Sequence, residues 1–98
     1  MAALTSKQVT GQLEAVPAWS KRAHTIVRIF KCEGFGQSIS FVNRIATKAQ
    51  KLNHHPNIDI RFDRVTLTLT THEEGGITGK DFALARECDR VFSRLCAS

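Results

Sequence analysis

Four histidines, His24, His54, His55 and His72, are the side chains of this sequence that can take and give a proton near neutral pH. His54 and His55 are adjacent and stand directly before Pro56, while His72 follows Thr70-Thr71 and precedes Glu73. His24 has no polar company nearby and reads as structural. The other three can converge. The chain from Asn57 to Thr71 reads as a strand hairpin, and a hairpin brings its end back to the edge it left, so the pair and His72 are expected together. A zinc site with Asp81 or Glu73 as an extra ligand is one chemistry such a group permits. Against it, adjacent histidines rarely ligate one metal without strain, and His72-Glu73-Glu74-Gly75-Gly76 does not fit HExxH. Metal-free acid–base catalysis is the second: one ring removes a proton while another protonates a leaving hydroxyl, which suits an elimination. A third reading makes them surface histidines of loops.

The remaining candidates are weaker. Asp81 can be an N3 capping residue, the orienter of an imidazole, or both. Trp19 is a core aromatic or a pocket wall. Thr70 and Thr71 are strand filler, or offer contacts beside His72. Gly34-Phe35-Gly36 lacks the third glycine of a dinucleotide fingerprint and reads as a turn. Cys32, Cys88 and Cys96 show no CxxC spacing and sit at apolar-pattern positions, which implies buried thiols and a reducing cytosol.

The elements that must hold these residues are legible from periodicity. Val9, Leu13 and Val16 make one helical stripe from Ser6 to Val16, opened by Thr5 and Gln8 as a capping box and closed by Pro17. Trp19 to Lys31 reads as two short strands with a turn near Lys21 to Ala23. Ile39, Val42, Ile45, Ala46, Ala49 and Leu52 mark a second helix, with Ser38 as candidate N-cap. Asn57 to Phe62 and the alternating Val65, Leu67, Leu69 are strands joined by an Asp63-Arg64 turn. After a Thr71 to Ile77 loop, Thr78 and Asp81 open a third helix. The expected fold is α+β: helix-strand-strand-helix-strand-strand-helix, a four-stranded antiparallel sheet with three helices packed on one face. The other face has no cover within the chain, which favours a dimer or higher oligomer.

With 98 residues and 10.9 kDa, residues 1–98 are expected to form a single domain, too small for a separate cofactor domain. Apolar residues are 42% and charged residues 23%, an ordinary globular balance. No apolar run approaches the ~20 residues that span a bilayer, and residues 1–8 do not look like a secretory signal. The net charge is +5, yet the 14 lysines and arginines are scattered rather than clustered. A solvated surface is the better reading, with no direct nucleic-acid partner.

The segments Lys51-Leu52-Asn53-His54-His55-Pro56, the aromatic Phe62, Thr71-His72-Glu73, Gly75-Gly76-Ile77-Thr78 and Asp81 together resemble the pterin-4a-carbinolamine dehydratase family. The match runs from about Leu13 to Leu95. The resemblance implies dehydration of a 4a-hydroxytetrahydropterin to a quinonoid dihydropterin, recycling a tetrahydrobiopterin-type cofactor, with no metal and no redox cofactor of its own. His54 corresponds to the group that exchanges the pterin N5 proton, His72 to the acid facing the 4a-hydroxyl, and His55 to the histidine that binds substrate and steadies the transition state. Asp81 corresponds to the orienting acid. Asn53, Pro56 and the stretch from Thr70 to Glu73 would line the pterin, with Trp19 as a further wall. A cytoplasmic homodimer or homotetramer is implied, with the second helix as tetramer interface. Some relatives also serve as dimerisation cofactors of a homeodomain transcription factor, which supplies the alternative: a non-catalytic coactivator module acting through that helix, in the nucleus as well.

Two positions depart from the family pattern. Gln50 stands where an acidic residue is usual, four positions before His54; an amide can hydrogen-bond but cannot stabilise an imidazolium by charge. Phe62 replaces a frequent tyrosine and lacks its hydroxyl.

Overall fold

A computed structural model of the chain describes residues 2–96. Helix α1, Ser6–Leu13, opens with the expected capping box: Gln8 N–H donates to Thr5 Oγ1 and Thr5 N–H donates to Gln8 Oε1. It stops earlier than the apolar stripe suggests. Val16 stays buried, but its N–H bonds the Leu13 carbonyl in a tight turn before Pro17. Strands β1, Ser20–Arg22, and β2, Thr25–Lys31, are joined by a turn at Ala23-His24, with Ala23 at φ 52°.

Helix α2, Phe35–Leu52, begins before Ser38, which corrects the expected cap. The N–H and the hydroxyl of Ser38 both bond the Gly34 carbonyl, and the hydroxyl also reaches the Phe62 carbonyl at 2.8 Å. Ser38 is therefore a buried clasp between the helix and the β3–β4 turn. Strands β3, Asn57–Arg61, and β4, Arg64–Leu69, turn at Phe62-Asp63, one residue earlier than the sequence suggests, with Phe62 at φ 52°. A short 3-10 turn, His72–Glu74, leads to helix α3, Gly79–Cys96.

The four strands form one antiparallel sheet in the order β1-β2-β4-β3. The element order and fold class expected from the sequence hold. The register pairs Phe30 with Val65 and Arg28 with Leu67, so alternate residues share one face. Ile26, Phe30, Val65, Leu67 and Leu69 are buried in one cluster with Val9 of α1, Phe41 and Ile45 of α2, and Phe82, Ala85 and Cys88 of α3. Phe30, Phe41 and Phe92 meet at centroid separations of 4.7, 5.1 and 5.6 Å. Each such pair contributes ~0.5–1.5 kcal/mol beyond the area it buries. The opposite face of the sheet carries Thr66, Thr68 and Ile29, the last 60% exposed.

Candidate active site

The end of α2 delivers the histidine pair. Asn53 takes the left-handed conformation, φ 51° and ψ 43°, which asparagine tolerates better than most residues. Asn53 N–H bonds the Gln50 carbonyl and His54 N–H bonds the Ala49 carbonyl, the paired closure that ends many helices. The chain direction changes sharply there. His54 turns inward and is 7% exposed, while His55 remains exposed.

His72 arrives from the other end of the β3–β4 hairpin, on the 3-10 turn after Thr71. Asn53, His54, His55, Thr70, His72 and Glu73 line a single open cleft of about 230 Å³. The sheet edge thus brings three imidazoles from two segments to one place. Thr70 ties the cleft to the β1–β2 turn, donating its hydroxyl to the His24 carbonyl at 2.7 Å. A larger cavity, about 370 Å³, lies against the Gly75-Gly76 loop, the start of α1 and the β1–β2 turn, with Lys21 and His24 in its wall. The smaller cleft is the better candidate of the two because it gathers three imidazoles against a buried carboxylate.

That carboxylate is Asp81, on the first turn of α3 and fully buried. Its Oδ1 lies 2.6 Å from Nε2 of His54. Its Oδ2 accepts the Thr78 backbone N–H and the Thr71 hydroxyl, both at 2.9 Å. Asp81 therefore serves as cap and histidine partner together. Thr78 caps α3 through Lys80 N–H, at 3.2 Å. Gln50 Oε1 lies 2.7 Å from Nε2 of His55.

Other expected site residues fall elsewhere or act differently. Trp19 is 3% exposed, stacks edge-on to Phe30 at 5.9 Å, and donates its indole N–H to Asp89 at 2.8 Å. It is not among the residues lining the cleft. Asp89 also holds Arg28, whose guanidinium lies 4.2 Å from the Phe30 ring centre, so Trp19 belongs to a clasp between the sheet and α3. Pro56 follows the pair at the start of β3 without lining the cleft. Thr71 is buried behind it. Sequence reasoning gave neither the Thr78 contact to the site nor the Gln50–His55 pair. The Thr78-x-x-Asp81 spacing signalled the cap, and Thr71 completes the link only through the hairpin. Among the described residues, no group of three or more His, Cys, Asp or Glu side chains is placed to hold a metal ion.

Comparison with known proteins places the chain in a family. The family model described as "Pterin 4 alpha carbinolamine dehydratase" matches residues 2–91. A relative from Thermomicrobium roseum, provisionally named a pterin-4-alpha-carbinolamine dehydratase, is 44% identical over 95% of this chain and 100% of its own. One from Acidobacterium capsulatum, named in the same provisional way, is 46% identical over 93% of this chain and 99% of its own. The crystal structure of a transcriptional coactivator/pterin dehydratase from Brucella melitensis superposes with a TM-score of 0.88 at 34% identity, covering 91% of this chain and 97% of that one. A pterin dehydratase-like protein described as a RuBisCO assembly factor shares the fold, with a TM-score of 0.62 at 20% identity. With a buried aspartate behind one histidine of a three-histidine cleft, and this agreement over nearly its whole length, the chain belongs to the pterin-4a-carbinolamine dehydratase family.

Proposed function

We propose that the protein dehydrates a 4a-hydroxytetrahydropterin to a quinonoid dihydropterin by histidine acid–base catalysis, and so recycles a tetrahydrobiopterin-type cofactor. The observation that carries this reading is the convergence of His54, His55 and His72 on one cleft, with Asp81 buried behind His54.

The reaction is an elimination of water. His54 takes the N5 proton as the nitrogen electron pair forms the C4a–N5 double bond. The C4a–O bond breaks with its electron pair going to oxygen, and His72, in its protonated form, supplies the proton that completes the water. Exchange with solvent through the open cleft returns both rings to their starting states. His55, steadied by Gln50, binds the substrate. Asn53, Thr70 and Glu73 border the same cleft and support the pterin. Positioned acid–base groups of this kind contribute ~10²–10⁴-fold each.

The test is turnover of a 4a-hydroxytetrahydropterin by the wild type and by His54→Ala and His72→Ala. A fall of roughly 10²- to 10⁴-fold in both variants is expected. Wild-type turnover in both would overturn the reading.

A second reading is an interaction module acting through α2. Its support is the Brucella melitensis relative described as a coactivator, together with the exposed Phe35 and Leu52 at the two ends of that helix. Sedimentation of the wild type and of Phe35→Ser with Leu52→Ser tests it: a change of assembly state with turnover intact supports that role.

A further inference from the structure

The buried polar groups behind His54 decide which of its ring nitrogens can handle a proton in the cleft. Asp81 uses its two oxygens differently: Oδ2 is filled by Thr78 N–H and the Thr71 hydroxyl, while Oδ1 faces His54. Thr71 Oγ1 also lies 2.9 Å from Thr78 Oγ1. A hydroxyl has one proton to donate. Thr71 gives its proton to the carboxylate, so it must accept from Thr78, and Thr78 must donate. Thr78 Oγ1 in turn accepts the Lys80 N–H. The sense of every bond is thereby fixed, running from the first turn of α3 through Lys80, Thr78 and Thr71 into Asp81. Bonds aligned in one sense polarise one another, and the helix N-terminus adds to the same field.

We propose that Thr71 and Thr78 are positioning residues. Their one-way hydroxyl chain pins Asp81 with Oδ1 as an acceptor, holds His54 as the Nε2–H tautomer, and leaves Nδ1 as the nitrogen that takes the substrate proton. Only the last clause rests on the dehydratase reading. Among the described residues no buried side-chain nitrogen or oxygen lacks a hydrogen-bond partner. The ring of His54 is engaged at Nε2, so Nδ1 is the nitrogen left open on a ring that lines the cleft. Thr71 is 1% exposed with its hydroxyl committed to Asp81 and Thr78, so that hydroxyl is not offered to substrate.

Long-range ¹H–¹⁵N correlation of the labelled protein in mildly alkaline buffer reads the tautomer directly. The wild type is expected to show His54 as a single Nε2–H form. Thr71→Val preserves shape and removes the hydroxyl. It should mix the His54 tautomers without disturbing His55 or His72. It should also lower kcat about 10- to 100-fold, as loss of an orienting partner does elsewhere, with KM held within about twofold. Thr71→Ser should restore both signals. Thr78→Val breaks the same chain one bond earlier and should act in the same direction if Thr71→Val does not fold. A wild-type His54 in the Nδ1–H form, or averaging between forms, overturns the proposal. So does a folded Thr71→Val protein with the wild-type tautomer and kcat. A fixed Nε2–H form in a protein without turnover supports the hydroxyl chain and removes the dehydratase reading instead.

Discussion

Gln50 Oε1 stands 2.7 Å from Nε2 of His55, not beside His54, the residue one helical turn further along. The left-handed turn at Asn53 is the cause, because it takes His54 off the helix face before the turn is complete. The missing charge at position 50 therefore concerns the exposed histidine of the cleft. Gln50→Glu places a carboxylate against His55 and favours its protonated form. An exposed pair of this kind is worth ~0.2–1 kcal/mol, which limits the gain to less than about tenfold. The alkaline limb of 1/KM against pH, set by His55 as the proposed substrate-binding group, should move upward by less than about one unit. Superimposable profiles for variant and wild type would remove the amide from the account.

His54 and His72, the proposed acid–base pair, should differ sharply in their effect on folding. His54→Ala leaves Oδ1 of the buried Asp81 without its partner, and a deprived buried polar group costs ~1–3 kcal/mol. His72 is exposed, and His72→Ala should stay within ~0.5 kcal/mol of wild type. Urea unfolding of the two variants measures the contrast. Equal losses of stability would show that the Asp81 contact carries no load.

Asn53 separates backbone from side-chain roles. Asn53→Gly suits the left-handed conformation and should leave stability nearly unchanged, whereas Asn53→Ala should cost ~1 kcal/mol. Both remove the amide from the cleft wall, so both should raise KM alike. A normal KM in the glycine variant would mean that the side chain does not touch substrate.

Cys88 gives a pH dependence unrelated to catalysis. Burial, helped by Asp89 and Glu87, pushes its thiol from the ordinary 9.0 up to about 12. The folded state keeps a proton that the unfolded chain gives up. Its contribution to stability is therefore complete below 9.0 and declines as the pH climbs toward about 12. Stability measured against pH should fall less steeply above 9.0 in Cys88→Ala than in wild type. Parallel curves would contradict it, as would alkylation of Cys88 in the native protein.

Local patterns were enough for most of the fold. Thr5 and Gln8 announced α1, and the alternation of Val65, Leu67 and Leu69 set the buried face of β4. Two of the misplaced boundaries, the start of α2 and the β3–β4 turn, meet at one contact. Ser38 looked like a cap, but its hydroxyl bonds the Phe62 carbonyl across 24 residues, a contact no local window contains. The shift of the β3–β4 turn to Phe62-Asp63 came from the same clasp region, where a bulky residue adopts a positive φ that its type disfavours. At the site, hairpin geometry was sufficient to place His54, His55 and His72 together. Trp19 was not separable from a pocket wall because its partner, Asp89, lies 70 residues away. The direction of the threonine bonds needed coordinates, since it depends on which oxygen of Asp81 each donor meets.

Every side chain bordering the histidine cleft belongs to the stretch between Asn53 and Glu73, a helix end and a single hairpin. The preceding half of the molecule supplies bulk, through Val9, Phe30 and Phe41, but lines no part of that cleft. Drift in most of those earlier positions is thus free to alter surface and assembly, while the cleft wall travels as one short stretch that leans on Gln50 before it and on Thr78 and Asp81 after it.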